Sequence, residues 1–388
     1  MKYRQFGKLK WKVSALGFGA MRLPLLSEER GNIDEATAIK MLRYAIDHGV
    51  NYLDTAYLYH NGNSERVVGK ALKDGYREKV RLATKMPIRL LEAETDLDRV
   101  FQEQLSKLQT DHLDFYLFHG LREATWPKVR DFNVLQWAEK EKAAGRIRHL
   151  GFSFHDKYEV FKEIIDSYDG WTFCQIQYNY VDTDSSARTP GTRGLKYAAS
   201  QGLAVVAMEP IQGGNLAVKP PEAIEALWNI TKTKRTPAEW ALQWLWHQPE
   251  VSVALSGMST MTHVIENLNS ANRSKPHILT GSELQLISRV REKYLASGFI
   301  GCTNCGYCVP CPEGVAIPEI LALYNQYYTK QGDTNAQQAI LNTYDDTISP
   351  ETRAERCARC GVCEDKCSQQ LPIRHLIARA TRIFTKNE

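Results

Sequence analysis

Up to about residue 280 the chain alternates short apolar runs with helical stretches. Eight runs read as strands: ALGFGA (15–20), YLDTA (52–56), VRLATKM (80–86), LDFYLFH (113–119), HLGFSF (149–154), FCQIQYN (173–179), AVVAMEP (204–210) and VSVALSG (251–257). Most are continuously apolar rather than alternating, the pattern of parallel strands covered on both faces. Between them lie helical patterns. DEATAIKMLRYAIDHG (34–49) opens on acidic residues and closes on Gly49, just past the predicted helix end. TPAEWALQWLWHQ (236–248) starts with a capping-box pair, Thr236 and Glu239, and has Pro237 in the first helical position. Eight βα units predict an α/β fold, a (β/α)8 TIM barrel. The leading MKYRQFGKLKWKV predicts a small hairpin that plugs the barrel floor.

Past residue 280 the pattern changes. GSELQLISRVREKYLASG (281–298) reads as a bridging helix over 281–296, and 297–388 as a separate small module. That module has helical stretches at 317–332, 334–344 and 373–384, and two cysteine runs, CTNCGYCVPC (302–311) and CARCGVCEDKC (357–367). Forty-five residues separate Cys311 from Cys357, too many for the shortest two-cluster ferredoxins. An α-helical ferredoxin-like iron–sulfur domain is the expectation, following a barrel that spans 1–280. No repeat other than the two cysteine runs is visible.

Composition adds little and excludes some classes. At 43% hydrophobic and 24% charged the chain is ordinary globular material. A net charge of +4 without a Lys/Arg block does not point to nucleic acid. Each four-thiolate cubane would add roughly −2, bringing the loaded protein close to neutral. The basic N-terminus lacks an apolar core, so no secretory leader is expected, and no run reaches membrane-spanning length. Of nine cysteines, eight fall in the two runs and Cys174 stands alone in an apolar strand, as a core residue. That is metal spacing, not a disulfide framework, and it implies a cytoplasmic setting reducing or oxygen-poor enough to keep clusters intact.

In a TIM barrel the reactive residues stand at the C-terminal ends of strands. Strand two ends in Asp54, followed by Tyr57 and Tyr59; strand three ends in Lys85 and strand four in His119. These four residue types suit carbonyl reduction by hydride. The alkoxide left by hydride attack needs a proton, which a phenol can donate if a nearby ammonium favours its phenolate. A carboxylate can hold that ammonium, and an imidazole can orient the carbonyl oxygen.

LDTAYLYHNGNSERVVGKAL (53–72) resembles the aldo-keto reductase signature, with ATKM and FYLFHG matching that family's Lys and His strands. The likeness runs over roughly residues 1–280. It implies Tyr59 as proton donor, Lys85 as modulator of that phenol, Asp54 as the partner of Lys85 and His119 as carbonyl orienter. The five-residue step from Asp54 selects Tyr59 over Tyr57. The same resemblance implies NAD(P)H. Ser153 and Gln175 match its carboxamide contacts, but Phe154 stands where the family has Asn and Met208 where it often has a stacking Tyr. SGMSTMTHVIENL (256–268) resembles the segment that grips the adenosine end, through Gly257, Ser259, His263, Glu266 and Asn267. Gly257 and His263 replace the Lys and Arg that select NADP, so NAD against NADP stays open. The substrate would be a small carbonyl or alcohol. Trp126 and Phe132, in the loop after His119, are candidate walls or loop packing.

Cys357, Cys360, Cys363 and Cys367 follow the C-x2-C-x2-C-x3-C spacing of bacterial [4Fe–4S] motifs. Cys302, Cys305, Cys308 and Cys311 follow the same run with the last gap one shorter, then Pro312; after Cys367 stands Ser368, where Pro is usual. In two-cluster ferredoxins the fourth Cys of each run serves the other cluster. That predicts Cys302, Cys305, Cys308 and Cys367 on one [4Fe–4S] cluster, and Cys357, Cys360, Cys363 and Cys311 on a second. Two all-thiolate zinc sites are the alternative, although zinc sites favour separated C-x2-C pairs.

Nicotinamide moves electrons in pairs and a cubane moves them singly. Three readings follow: a hydride-transferring barrel whose module shapes the active-site mouth or meets a ferredoxin or flavodoxin; a flavin- or cluster-fed redox enzyme in the same barrel; and a non-enzymatic redox-sensing or electron-carrier subunit.

Overall fold

The computed structural model of the chain describes residues 1–27, 29–330 and 332–385. By contact the chain divides into two compact units, Met1–Pro210 with Ala238–Leu279, and Ile211–Pro237 with Thr280–Glu388.

The first unit is a closed parallel barrel. Strands β1 (Tyr3–Gln5) and β2 (Lys12–Ser14) form an antiparallel hairpin outside it. The barrel strands are β3 (Leu16–Gly19), β4 (Tyr52–Asp54), β5 (Arg81–Met86), β6 (Leu113–Leu121), β7 (Ile147–Phe154), β8 (Phe173–Gln177), β9 (Ala204–Met208) and β10 (Val251–Gly257). They run in chain order, with β10 closing onto β3. All eight apolar runs predicted as strands lie in this barrel, since each is buried on both faces.

The hairpin closes the N-terminal end. Phe6 is fully buried among Tyr52, Phe115 and Phe173, with its ring centroid 4.7 Å from that of Phe115. Burying such a ring contributes about 1.5–3 kcal/mol. Gly7 follows in the left-handed region at φ +52°, and a Cβ there would stand 2.5 Å from the Ala204 amide nitrogen. Only glycine lets the turn lie that close to β9. The opposite end of the barrel is left to the strand ends that carry Asp54, Lys85 and His119.

Helices cover the outside. The helix Glu35–Asp47 starts on Asp34, whose carboxylate accepts from the Thr37 amide, and ends at Gly49 with φ +95°. There Gly49 N–H donates to Ile46 O and Val50 N–H to Ala45 O, a Schellman closure.

The second unit is helical: Glu222–Ile230, Gly281–Ala296, Ile317–Thr329, Thr334–Thr347, Val362–Lys366 and Ile373–Phe384. The stretch expected as a bridge is the Gly281–Ala296 helix, capped by a Thr280–Glu283 box and packed on Glu222–Ile230. The core of this unit gathers Ile320, Leu321, Tyr324, Tyr344, Ile377 and Phe384, and the Tyr344 and Phe384 rings stack at 4.4 Å. Cys363 and Cys367 belong to that core, and Cys302, Cys308, Cys311 and Cys357 pack against it. Among the described residues, no helix is long and apolar enough to cross a membrane.

Candidate functional site

The barrel site forms where β4, β5 and β6 end. Asp54, the last residue of β4, is paired in register with Ala83 of β5, two residues before Lys85. Lys85 is wholly buried, and its Nζ donates to Asp54 Oδ1 at 2.6 Å and to Thr55 O at 2.7 Å. The third contact of that ammonium is the Tyr59 hydroxyl at 3.3 Å. Tyr57 points elsewhere, with its hydroxyl on Glu103 at 2.9 Å. Geometry therefore brings Tyr59, and not Tyr57, to Lys85.

The loop that carries Tyr59 is pinned from outside. His60 and Asn61 take left-handed backbone, at φ +52° and +54°. His60 Nε2 accepts from the Leu23 amide at 3.2 Å, so its Nδ1 carries the proton and donates to Arg30 O at 2.8 Å. Lys85 is pinned from behind. Gln104 Nε2 donates to Lys85 O at 3.0 Å and to Glu65 Oε1 at 2.8 Å, and Gln104 Oε1 accepts from Tyr116 at 2.6 Å. Thr84 donates to the same Glu65 oxygen at 2.6 Å. Sequence reasoning missed this buried network, because Gln104 and Tyr116 carry no motif of their own.

The His119 ring meets Tyr59 edge to face at 6.0 Å, and its Nδ1 is buried without a hydrogen-bond partner. Burial, with Lys85 adding to it, holds this imidazole well below its ordinary value, so it is neutral at neutral pH. Burial also lowers Lys85 and raises Asp54, and each partner opposes the shift of the other across their short contact. All four reactive residues expected from the sequence thus meet in one place.

The expected cofactor contacts form two groups. Ser153 of β7 lies beside Gln175 of β8 in register. Ser153 Oγ accepts from the Gly120 amide at 2.8 Å, and the hydroxyl proton remains to be donated. The Gln175 amide nitrogen lies 3.7 Å from Met208 Sδ, while its Oε1 is buried without a partner. These groups fit a ligand carboxamide, which offers one donor and one acceptor. The second group, at the end of β10, opens the helix Met261–Asn272, capped by Thr260 on the His263 amide. Ser259 and His263 are exposed there, Glu266 is half-buried, and Asn267 is buried with its amide on Ser256 Oγ at 3.1 Å. Such a helix start suits an anion. A Cβ on Gly257 would stand 3.1 Å from the Arg22 side chain, which sequence reasoning did not consider. Trp126 is only 4% exposed and is packing rather than an open wall, and Phe132 is half-buried. Cys174 is buried in β8, and burial raises its thiol far above the ordinary value.

In the second unit, Cys302, Cys305, Cys308 and Cys367 line one pocket with Ile317, Leu321 and Gln369. This foursome takes three cysteines from the first run and the last from the second. The loop is fixed by Asn325, whose amide bonds both the N–H and the C=O of Ile300 at 2.8 Å, and by Asn215, which donates to Cys302 O at 2.9 Å. Burial pushes Cys302 up to about 11 and Cys308 higher, so these thiols ionise only beside a cation. Four inward thiols in an apolar pocket are a donor set that suits iron. The two runs also fold alike. Asn304 and Gly306 take φ +51° and +78°, and Arg359 and Gly361, at the equivalent places, take +54° and +85°. Of the second set, Cys363 is buried, which raises its thiol to about 11, and Cys360 is exposed. Among the described residues no three Cys, His, Asp or Glu side chains stand as a ready-made metal site.

The aldo/keto reductase family profile matches residues 15–278, more than half the chain. The chain belongs to the aldo/keto reductase family. It is an aldo-keto reductase-type oxidoreductase with an attached 4Fe-4S dicluster domain, whose profile matches residues 301–371 and so includes all eight clustered cysteines. An uncharacterized oxidoreductase of Bacillus subtilis, YqkF, is 27% identical over 74% of this chain and 95% of its own. L-galactose dehydrogenase of Arabidopsis thaliana is 27% identical over 69% of this chain and 87% of its own. Among solved structures, the holo form of an aldo-keto reductase from Bacillus halodurans aligns with a TM-score of 0.62 and 29% identity. It is matched over 75% of this chain and 96% of its own. A Klebsiella pneumoniae aldo/keto reductase in complex with NADP and acetate aligns with a TM-score of 0.59 and 26% identity, over 75% of this chain and 95% of its own.

Proposed function

We propose that the barrel reduces a small carbonyl compound, or runs the reverse alcohol oxidation, with Tyr59 as proton donor. NAD(P)H would supply the hydride; the Klebsiella relative's complex holds NADP. The rest is the work of this chain's own side chains. Ser153 and Gln175 hold the nicotinamide carboxamide, and the helix start near Ser259 and His263, with Glu266 and Asn267, takes the adenosine end beside Gly257. His119, neutral, donates a hydrogen bond to the carbonyl oxygen and fixes its direction. Tyr59 passes its proton to that oxygen as negative charge develops. Lys85 stabilises the phenolate that remains, and Asp54 holds Lys85 in place. The observation that carries this reading is the Lys85 ammonium, clamped by Asp54 and Thr55 with the Tyr59 hydroxyl as its third contact.

For the C-terminal domain we propose two [4Fe–4S] clusters, one on Cys302, Cys305, Cys308 and Cys367, the other on Cys357, Cys360, Cys363 and Cys311. The shared pocket of the first four thiols supports the crossed assignment. The clusters would supply one-electron transfer. The barrel chemistry does not call on them, because hydride moves electrons in pairs.

Tyr59→Phe removes the hydroxyl, and with it the proton donor, while keeping the ring. It should lower kcat for a test aldehyde by about 10²–10⁴-fold and leave the cluster absorbance unchanged. Unchanged turnover would exclude Tyr59 as the donor.

A further inference from the structure

Gln369 is buried to 4% exposure and lines the pocket of Cys302, Cys305, Cys308 and Cys367. Both its amide nitrogen and its amide oxygen are buried without a hydrogen-bond partner. Leaving such groups unpaired costs about 1–3 kcal/mol each, so a buried carboxamide implies something in the pocket that completes it. Ile317, Pro318, Leu321, Leu371 and Ile373 there are apolar, and four more of the lining residues are the cysteines themselves. An iron–sulfur cube has only acceptors, its sulfides and thiolates, and the amide NH2 is the end that matches them.

The surrounding backbone serves the same purpose. Leu371 N–H donates to Cys367 Sγ at 3.5 Å, and the Ser368 hydroxyl lies 3.8 Å from Cys305 Sγ. The other half of the module lacks both side chains. After its own fourth cysteine, Cys311, the chain has Pro312, which cannot donate, and Glu313, which is exposed and anionic. The runs share their backbone turns and differ in the two residues that follow.

We propose that the Gln369 carboxamide donates a hydrogen bond to a sulfur of the cluster seated on Cys302, Cys305, Cys308 and Cys367. With Ser368, it makes this cluster the more easily reduced of the two. The inference rests on the cluster assignment proposed above. Hydrogen bonds to cluster sulfurs disperse the charge of the reduced state and so raise its potential. An electron entering the module would then rest on this cluster.

The test is a redox titration of the anaerobic full-length protein, followed by electron paramagnetic resonance. The wild type should show two one-electron midpoints. Gln369→Met keeps the volume and removes the donor. It should lower only the upper midpoint, changing the reduced-to-oxidised ratio at fixed poise at least tenfold, or about 59 mV for one electron. Ser368→Ala should move the same midpoint by less. An unmoved upper midpoint, with iron and acid-labile sulfide retained, would overturn the inference. If the Met variant does not assemble, double resonance on the wild type with 15N-labelled glutamine side chains decides. A nitrogen coupled to the reduced cluster supports the bond, and its absence overturns it. Failure of the underlying assignment looks different: Cys367→Ala would then leave the cluster of the upper midpoint intact and disturb at most the other one.

Discussion

The barrel site and the cysteine pocket are assembled in opposite ways. In the barrel, Asp54, Lys85 and His119 come from three consecutive parallel strands, and the register of those strands puts them together. Hydrogen bonds within the protein hold Lys85: it is clamped by Asp54 and Thr55, and a network through Gln104 holds its backbone. In the C-terminal unit the thiols ride on two loops far apart in sequence, and burial disfavours the charged form of Cys302 and Cys308. On the proposed reading a bound cluster would supply both the cation and hydrogen-bond acceptors there. The first site is held by its own ion pair; the second is a shape that the proposed cluster would complete.

That contrast can be broken at the ion pair. Asp54→Asn leaves the Lys85 ammonium buried without its counterion, and should destabilise the barrel by about 3–5 kcal/mol in denaturant unfolding. Adding Lys85→Met should restore much of that loss, although the double variant remains inactive. A stable Asp54→Asn protein would mean that the pair is not the keystone of the site.

A smaller effect appears with pH. Burial lowers His155 to about 4 and His119 well below its ordinary value, so both enter the folded state neutral. Between pH 6.5 and 4 the unfolded chain binds more protons than the native one. The stabilisation present above pH 6.5 is therefore lost as pH falls through that window, by about 1–2 kcal/mol in all once partial exposure is allowed for. Unfolding free energies at pH 7 and pH 4.5 measure it. No difference in a His119→Gln/His155→Gln variant, beside a clear one in the wild type, assigns it to these rings.

Local patterns reveal the barrel more readily than the second unit. The strands were legible because a strand buried on both faces is a continuous apolar run, and Tyr59 because its distance from Asp54 is a spacing. The floor plug followed from the basic, broken pattern of residues 1–13, though not the role of Phe6. Residues 211–237 gave no sign that they belong with the C-terminal unit. What ties them there is long-range: Asn215 on Cys302, and the Glu222–Ile230 helix on Gly281–Ala296. Gln104 and Tyr116 were hidden for the same reason, and so was Gln369, an ordinary polar residue until the chain brings it to four thiols.

In the proposed reaction the barrel's own side chains handle the proton that accompanies hydride transfer, with no electron drawn from the clusters. Its most direct test is to titrate the anaerobic protein with NADPH and then NADH, following the broad cluster absorbance near ~400 nm, before and after adding an aldehyde. The account predicts that this absorbance holds throughout and that the nicotinamide is oxidised only once the aldehyde is present. Bleaching by NADPH or NADH alone, with no aldehyde reduced, would contradict it and point to a flavin or cluster-fed reaction in the same barrel.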